Sequence, residues 1–327
     1  SYQRVRVPRA GFDDGWQVVG DYPMFTGGRI EYSVDSDLVA VGELSFEGGE
    51  PPDPRDMVRV VYRAEDGCGG SAEVVLGTFI VQVSEPCWDM GKVSGTAKLL
   101  SVLHIPRSKL FPRPYTIGRG CNCVERAREL IEGLGLRVSL SAGTRLLRRD
   151  IVMEAGESYL DAANRLLAAG GFAPCRPDAY GGVVMEPAPS GVREPAWELA
   201  EGDGSVMECE VALVDSAAGA PNAVHLSYED GDGSWWVSAV NDDARSGSSV
   251  QAVGYEVGQY GQADDPGEGD VLESLKEQAR RKLAEACSGT ETAEVSHPVV
   301  PLKVGDVASA SYPSSGIEMA GEVATMQ

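Results

Sequence analysis

Residues 156–187 read "GESYLDAANRLLAAGGFAPCRPDAYGGVVMEP" and carry a complete small folding unit. Ser158 followed three residues later by Asp161 is a capping-box pattern, in which each side chain satisfies an amide left free at a helix start. Tyr159, Leu160, Ala163, Leu166 and Leu167 recur at helical spacing, and Gly170 is placed to end the helix. "FAPCR" and "GGVVMEP" then pair about the turn "PDAYGG". The unit has no catalytic pattern, yet it is too regular for a linker. Just upstream, Asn122 with Glu125 three residues on marks another helix start before "CVERARELIEGLG". Val124, Ala127, Ile131 and Leu134 form that helix's apolar face, and "RVSL" follows as a strand. A small α+β domain is therefore expected over residues 105–188.

The flanks are different. Residues 1–104 read as strand after strand: "WQVVG", "RIEYSV", "LVAVGELSF", "MVRVVYRA", "EVVLGTFIVQV" and "KVSGTAKLLSVLH", separated by turn signals such as "EDGCGG". Short, closely spaced strands of this kind predict a small antiparallel barrel or sandwich. After a linker-like "PAPSGVREP", residues 189–327 return to strands: "VMECEVALV", "NAVHLSYED", "SWWVSAV", "SVQAVGYEV", and at the end "EVSHPVV", "GDVASASY" and "IEMAGEVATM". One late helix is expected at 270–287, with Leu272, Leu275, Ala279, Leu283 and Ala286 as its apolar stripe. Arg280, Arg281 and Lys282 lie towards its C-terminal end, where the helix dipole favours cations. A faint internal echo links "RDMVRVVY" to "GDVASASY": Asp56 and Asp306 each precede a tyrosine by six residues and would open paired strands.

Charge divides the chain in the same three places. The net charge is −22, made up of −7 over residues 1–100, +3 over 101–190 and −18 over 191–327. A basic middle between acidic flanks is a compositional boundary. So acidic a chain is not expected to grip nucleic acid, which needs cations to replace phosphate counterions, although acidic walls would let nucleic acid pass without sticking. No run of 18 apolar residues is present, so no membrane-spanning helix is expected. "SYQRVRVPRAGF" lacks the apolar core of a signal peptide. The seven cysteines are odd in number and scattered, which reads as reduced thiols in a protein assembled in a cytoplasm.

No set of catalytic, cofactor-binding or metal-ligating residues emerges. His104, His225 and His297 are isolated in sequence. Cys121 and Cys123 form a lone C-x-C at a helix start, which lacks the matching half of a zinc site and reads as structural; the alternative is a thiol made acidic by the helix N-terminus. No G-x-S-x-G, phosphate-binding loop or dinucleotide fingerprint occurs. The acid clusters at 229–233 and 241–243 do not have the spacing of a helix–loop–helix calcium site and read as solvated turns. Trp235 and Trp236 are adjacent, so in a strand they point to opposite faces. One enters a core; the other must be covered by a helix, another domain or another subunit, which marks the pair as a candidate subunit or domain interface.

The order of parts resembles the tail hub proteins of bacteriophages, that is, contractile baseplate hubs and the N-terminal parts of tail-tip proteins. The resemblance runs over nearly the whole chain and rests on "VVLGTFIVQVSEP", "YTIGRGCNCVERARELIEGLG", the 156–187 unit and the closing "VGDVASASY…GEVATM". It implies a mainly β fold with an α+β insertion: two tube-type antiparallel β-barrel domains, 1–104 and 189–327, flanking a small peripheral domain at 105–188. It also implies a homotrimer whose pseudo-sixfold ring continues the tail tube, lines a channel for DNA without binding it specifically, and sits in the virion at the tail tip or baseplate. Neighbours would be a tail tube or distal tail protein above and a tip or spike protein below. Many relatives continue into a peptidase, lysozyme or receptor-binding region, whereas this chain stops at Gln327, so enzymatic roles are expected on other chains. Two alternatives stay open: a phage-associated cell-wall or carbohydrate-active enzyme, which would need a convergent acid pair in a cleft, and an extracellular β-rich binding module.

Overall fold

The computed structural model describes residues 1–6, 17–48, 52–53, 56–65, 70–189, 193–202, 211–215, 219–231, 233–243, 246–267, 269–288 and 291–327. The first region is one antiparallel sheet. Its strands are β1 (Tyr2–Arg6), β2 (Gln17–Asp21), β3 (Phe25–Ser33), β4 (Ala40–Glu47), β5 (Asp56–Glu65), β6 (Ser71–Asp89) and β7 (Lys92–Leu100), in the order β2-β1-β5-β6-β7-β4-β3. Alternation decides the faces. Along β4, Ala40, Leu44 and Phe46 are buried while Glu43, Ser45 and Glu47 are exposed, the period-2 pattern of a half-buried strand. The buried face gathers Phe25, Leu44, Phe46, Val58, Phe79, Val93 and Leu99. Phe25 meets the rings of Tyr2, Tyr22 and Phe46 edge-on, the arrangement the ring quadrupole favours. Gly28 is obligatory where β3 crosses β4, because a Cβ there would lie 2.1 Å from the Glu43 carbonyl oxygen.

The open face of this sheet is polar. Arg29 pairs with Glu43, Glu43 with Lys98 and Lys98 with Gln82, so one cross-strand row alternates in charge. At the start of β5, the buried Asp56 carboxylate is held by Arg6, 2.9 Å away, and by Arg4. Burial alone would raise its pKa; hydrogen bonds and charges from Arg6 and Arg4 outweigh burial and hold it below the usual carboxylate value.

The middle region comprises α1 (His104–Ser108), β8 (Tyr115–Ile117), α2 (Cys123–Glu132), β9 (Val138–Leu140), β10 (Ile151–Met153), α3 (Tyr159–Gly170), β11 (Arg176–Pro177) and β12 (Val183–Met185). Both helix starts form as the sequence indicates. Asn122 caps α2 by accepting from the amides of Val124 and Glu125; Glu125 turns to Arg128, 2.6 Å away, instead of returning to the cap. Ser158 and Asp161 make the full capping box. The left-handed residue that ends α3 is Gly171, with φ of 79°, one position after the glycine expected to end it. β11 and β12 form the expected hairpin, and β12 also pairs in parallel with β9. Ile131, Leu147, Met153, Leu160, Leu166, Leu167 and Met185 are fully buried. Their cluster also takes in Val5, Val39, Met57, Val102 and Leu103 from the first region and Val304 from the last. Among the described residues the largest core thus sits where the regions meet.

The last region comprises β13 (Trp197–Ala200), β14 (Val211–Asp215), β15 (Ala223–Asp230), β16 (Gly233–Val240), α4 (Val250–Val253), β17 (Gly258–Gln262), α5 (Val271–Ser288), β18 (Glu291–Val295), β19 (Val307–Tyr312), β20 (Ile317–Glu322) and β21 (Thr325–Met326). Its strands form three small sheets, β13-β19-β20, β14-β18 and β16-β15-β17, while β21 joins the first sheet by pairing with β3. Most ladders are antiparallel, as expected, but β13–β19 and β15–β17 are parallel because long connections, not hairpins, bring those strands together. "SVQAVGYEV" is not a strand. Ser249 caps the amide of Ala252 and Gly254 closes the turn with φ of 85°, so residues 250–253 are helical. In α5, Val271, Leu275 and Ala279 are buried but Leu272 is exposed, so the apolar stripe is displaced from the expected one.

The linker residues 190–192, the strand residues 206–210, Asp232, Cys68 and Cys209 lie outside the described residues. In the internal echo, Asp56 opens β5 and Asp306 immediately precedes β19, but Tyr62 is exposed and Tyr312 buried, so the two tyrosines do different work.

Candidate functional site

The three-stranded sheet β16-β15-β17 separates the two adjacent tryptophans. One face, with Val224, Leu226, Tyr228, Val237 and Trp235, packs on Leu275 and Ala279 of α5. The other face has no partner among the described residues. Trp236 there is 72% exposed and Tyr260 78% exposed. Ser227 stands opposite Trp236, and His225 opposite both Ser238 and Tyr260. The His225 ring stacks on Tyr260 at 4.6 Å between centroids. Its Nδ1 lies 2.8 Å from Ser238 Oγ and its Nε2 3.0 Å from Glu256 Oε1, so the imidazole is fixed from both ends and supports the tyrosine ring. Ser238 and Glu256 are 13 and 31 residues away in the chain, which is why reading along the sequence left His225 isolated.

Trp235 belongs to a contact between regions. Arg145, Arg148 and Arg149, from the loop between β9 and β10, reach the last region together. Arg148 Nε is 2.9 Å from Asp230 Oδ2, and its guanidinium lies 5.9 Å from the Trp235 ring. The backbone amide of Arg149 donates to Asp265 Oδ2 at 2.9 Å, and its guanidinium sits 5.0 Å from the Tyr228 ring. Arg145 donates to Ser274 Oγ at 3.4 Å and lies 3.9 Å from Glu277. Burial, then the nearby Asp265 charge, pushes the Tyr228 hydroxyl up to about 12 against the lowering effect of Arg149. On the other side of the middle region, Arg107 pairs with Asp37 at 3.1 Å, and Thr78 Oγ1 donates to the Ala179 carbonyl at 2.9 Å. Four arginines of the basic middle, Arg107, Arg145, Arg148 and Arg149, therefore meet acids of the flanks, while Arg126, Arg128, Arg165 and Arg176 pair with acids of their own region.

The remaining candidates do not converge. His104 contacts Ser108, and His297 contacts the Pro298 carbonyl. Cys123 is buried, and burial pushes its thiol up to about 12, so the alternative of an acidic thiol at this helix start is corrected; Cys121 shifts in the same direction for the same reason. A shallow cleft beside the start of α2 brings Cys121, Glu125, Arg126 and Glu129 together, but Arg126 is already held by Glu129 at 2.5 Å and by Tyr115. Asp230, in the first acid cluster, turns to Arg148 and to the amide of Gly233. Among the described residues no group of three or more metal-type ligands forms, and no helix is long and apolar enough to cross a membrane.

The whole arrangement is similar to solved tail proteins. A tail protein from Neisseria meningitidis MC58 superposes with a TM-score of 0.67 at 13% identity, covering 99% of this chain and 90% of that one. A 43 kDa tail protein of prophage MuSo2 from Shewanella oneidensis gives 0.65 at 13% identity, covering 99% and 93%. A prophage tail protein from Listeria monocytogenes EGD-e gives 0.58 at 12% identity, covering 99% and 89%. No protein-family model matches the chain, and no curated protein matches it. The chain has the fold of phage tail proteins, mainly β with few helices.

Proposed function

We propose that this chain is a structural, non-enzymatic subunit of a phage-type tail, a hub or tail-tip protein that forms a trimeric ring continuing the tail tube. The observation that carries this is the likeness to three tail proteins over 99% of the chain, which spans all three regions and not one common module. Residues 1–104 and 189–327 supply the tube-type domains, and 105–188 the brace between them. The flanks hold 41 of the 50 acidic residues, which suits a bore that passes DNA without binding its phosphates. The polar open face of the first sheet fits a wet lining, and the Trp236 face fits contact with a neighbouring subunit. A tube or distal tail protein above and a tip or spike protein below complete the assembly in the virion.

Cryo-electron microscopy of the intact particle tests this. The expected density is a threefold ring at the end of the tail tube, and a single compact copy elsewhere in the particle would overturn it. Among the described residues, the Ser238–His225–Glu256 row bears on the enzyme alternative. Hydrolysis of ester or glycan substrates that is lost in Ser238→Ala would overturn the non-enzymatic reading.

A further inference from the structure

The hairpin of β6 and β7 ends in an apolar finger. β6 is 19 residues long, and at its end Trp88 is 63% exposed and Met90 101% exposed. Met90 and Gly91 have φ of 44° and 82°, the two successive left-handed residues of a tight hairpin turn. Glycine suits this conformation without cost; at the first position asparagine, aspartate or glycine is favoured, and methionine is not. A fully exposed methionine in a strained position stabilises nothing in its own chain. The outlier points to a role for its side chain outside the chain.

Among the described residues, the face that carries Trp236 and Tyr260 exposes the largest aromatic side chains of the last region and suits the finger. We propose that the Trp88–Met90 finger of one copy docks on the Trp236–Tyr260 face of the next copy. Methionine is suited to such a surface, because its thioether is flexible and makes favourable contacts with aromatic rings. The finger belongs to the first region and the face to the last, so the contact joins unlike surfaces. Head-to-tail contacts of this kind close into a ring when the rotation allows. Either side offers apolar surface amounting to roughly half of the ~800 Å² that each partner of a standard interface buries. The flanking polar residues have the rest to supply. His225, locked between Ser238 and Glu256, holds Tyr260 in place before the neighbour arrives. This proposal rests on the ring reading above and names the surfaces that would make the ring.

The test places a photo-activatable benzoylphenylalanine at position 90 of the full chain. Isotope-labelled and unlabelled copies are mixed before assembly, and cross-linked peptides are read by mass spectrometry. Cross-links from position 90 into residues 234–262 of an oppositely labelled copy are expected. Met90→Asp and Trp236→Asp should each lose the ring at concentrations where the unmodified chain is fully assembled, with unchanged melting of the single subunit. A ring whose cross-links fall elsewhere, or one that survives both substitutions, would overturn this contact and leave the ring reading intact. An unmodified chain that forms no ring in the assembled particle would overturn both.

Discussion

The middle region and the β16-β15-β17 sheet are built from similar materials and end in opposite conditions. Helices α2 and α3 carry caps at both starts, bury Leu160, Leu166, Leu167 and Ile131 completely, and share their core with both neighbours. The three-stranded sheet covers one face with α5 and leaves Trp236 and Tyr260 in solvent on the other. A soluble monomer seldom keeps two large aromatics exposed on one sheet face. The difference teaches that the middle region is finished within one chain, whereas on the ring reading proposed above the last region is finished by assembly. Substitutions in the two places should therefore separate folding from association.

The largest effect is expected inside the middle region. Leu166→Ala, at a fully buried site, should cost about 2–5 kcal/mol of unfolding free energy in denaturant titration. A cost below about 1 kcal/mol would break the comparison, because it would mean that this core is not the one holding the chain together. Asp56 comes next. Asp56→Ala leaves Arg4 and Arg6 without the buried carboxylate they share and should cost about 2–3 kcal/mol, discounted because both arginines are partly exposed. Since the folded-state pKa of Asp56 is depressed, its contribution is fully present above the unfolded carboxylate value, roughly pH 4. It is lost as pH falls through the folded value. Melting against pH should show an acid-side loss in the unmodified chain that is smaller in Asp56→Ala.

A smaller effect is expected where the two regions touch. Arg148→Ala removes an ion-pair partner of Asp230 and the cation over Trp235, and should cost about 1–2 kcal/mol. Hydrogen exchange should rise in β15 and β16 more than in α2 and α3. The smallest effect sharpens the comparison most. Trp236→Ala should leave single-subunit unfolding within about 0.5 kcal/mol while weakening association, read by sedimentation over a concentration series.

Local features were legible in the sequence because their causes are local. The caps at Asn122 and Ser158, the 175–187 hairpin and six of the seven strands of the first sheet each follow from residues within a few positions of one another, whereas β1 (Tyr2–Arg6) was not anticipated. The failures have physical reasons too. "SVQAVGYEV" has strand composition, but a serine cap and a left-handed glycine turn four of its residues into a helix. The stripe of α5 was misplaced because Leu272 is exposed and Val271 is buried instead. Pairings such as β21 with β3 and β13 with β19 join residues about 290 and 110 positions apart, beyond any local pattern. Trp235 and Trp236 were identified by strand alternation alone, yet their surroundings were not. The Arg148 contact, the His225 row and the Trp88–Met90 finger all depend on which strands become neighbours.

The central claim is that this chain is one part of a hollow ring, and the native mass of the assembled protein, imaged in parallel by negative stain, tests it most directly. The account predicts three copies around an open bore lined by the acidic flanks, with residues 105–188 on the outside. A compact monomer from an intact assembled particle, or a ring whose bore is lined by the arginines of residues 105–188, would contradict it.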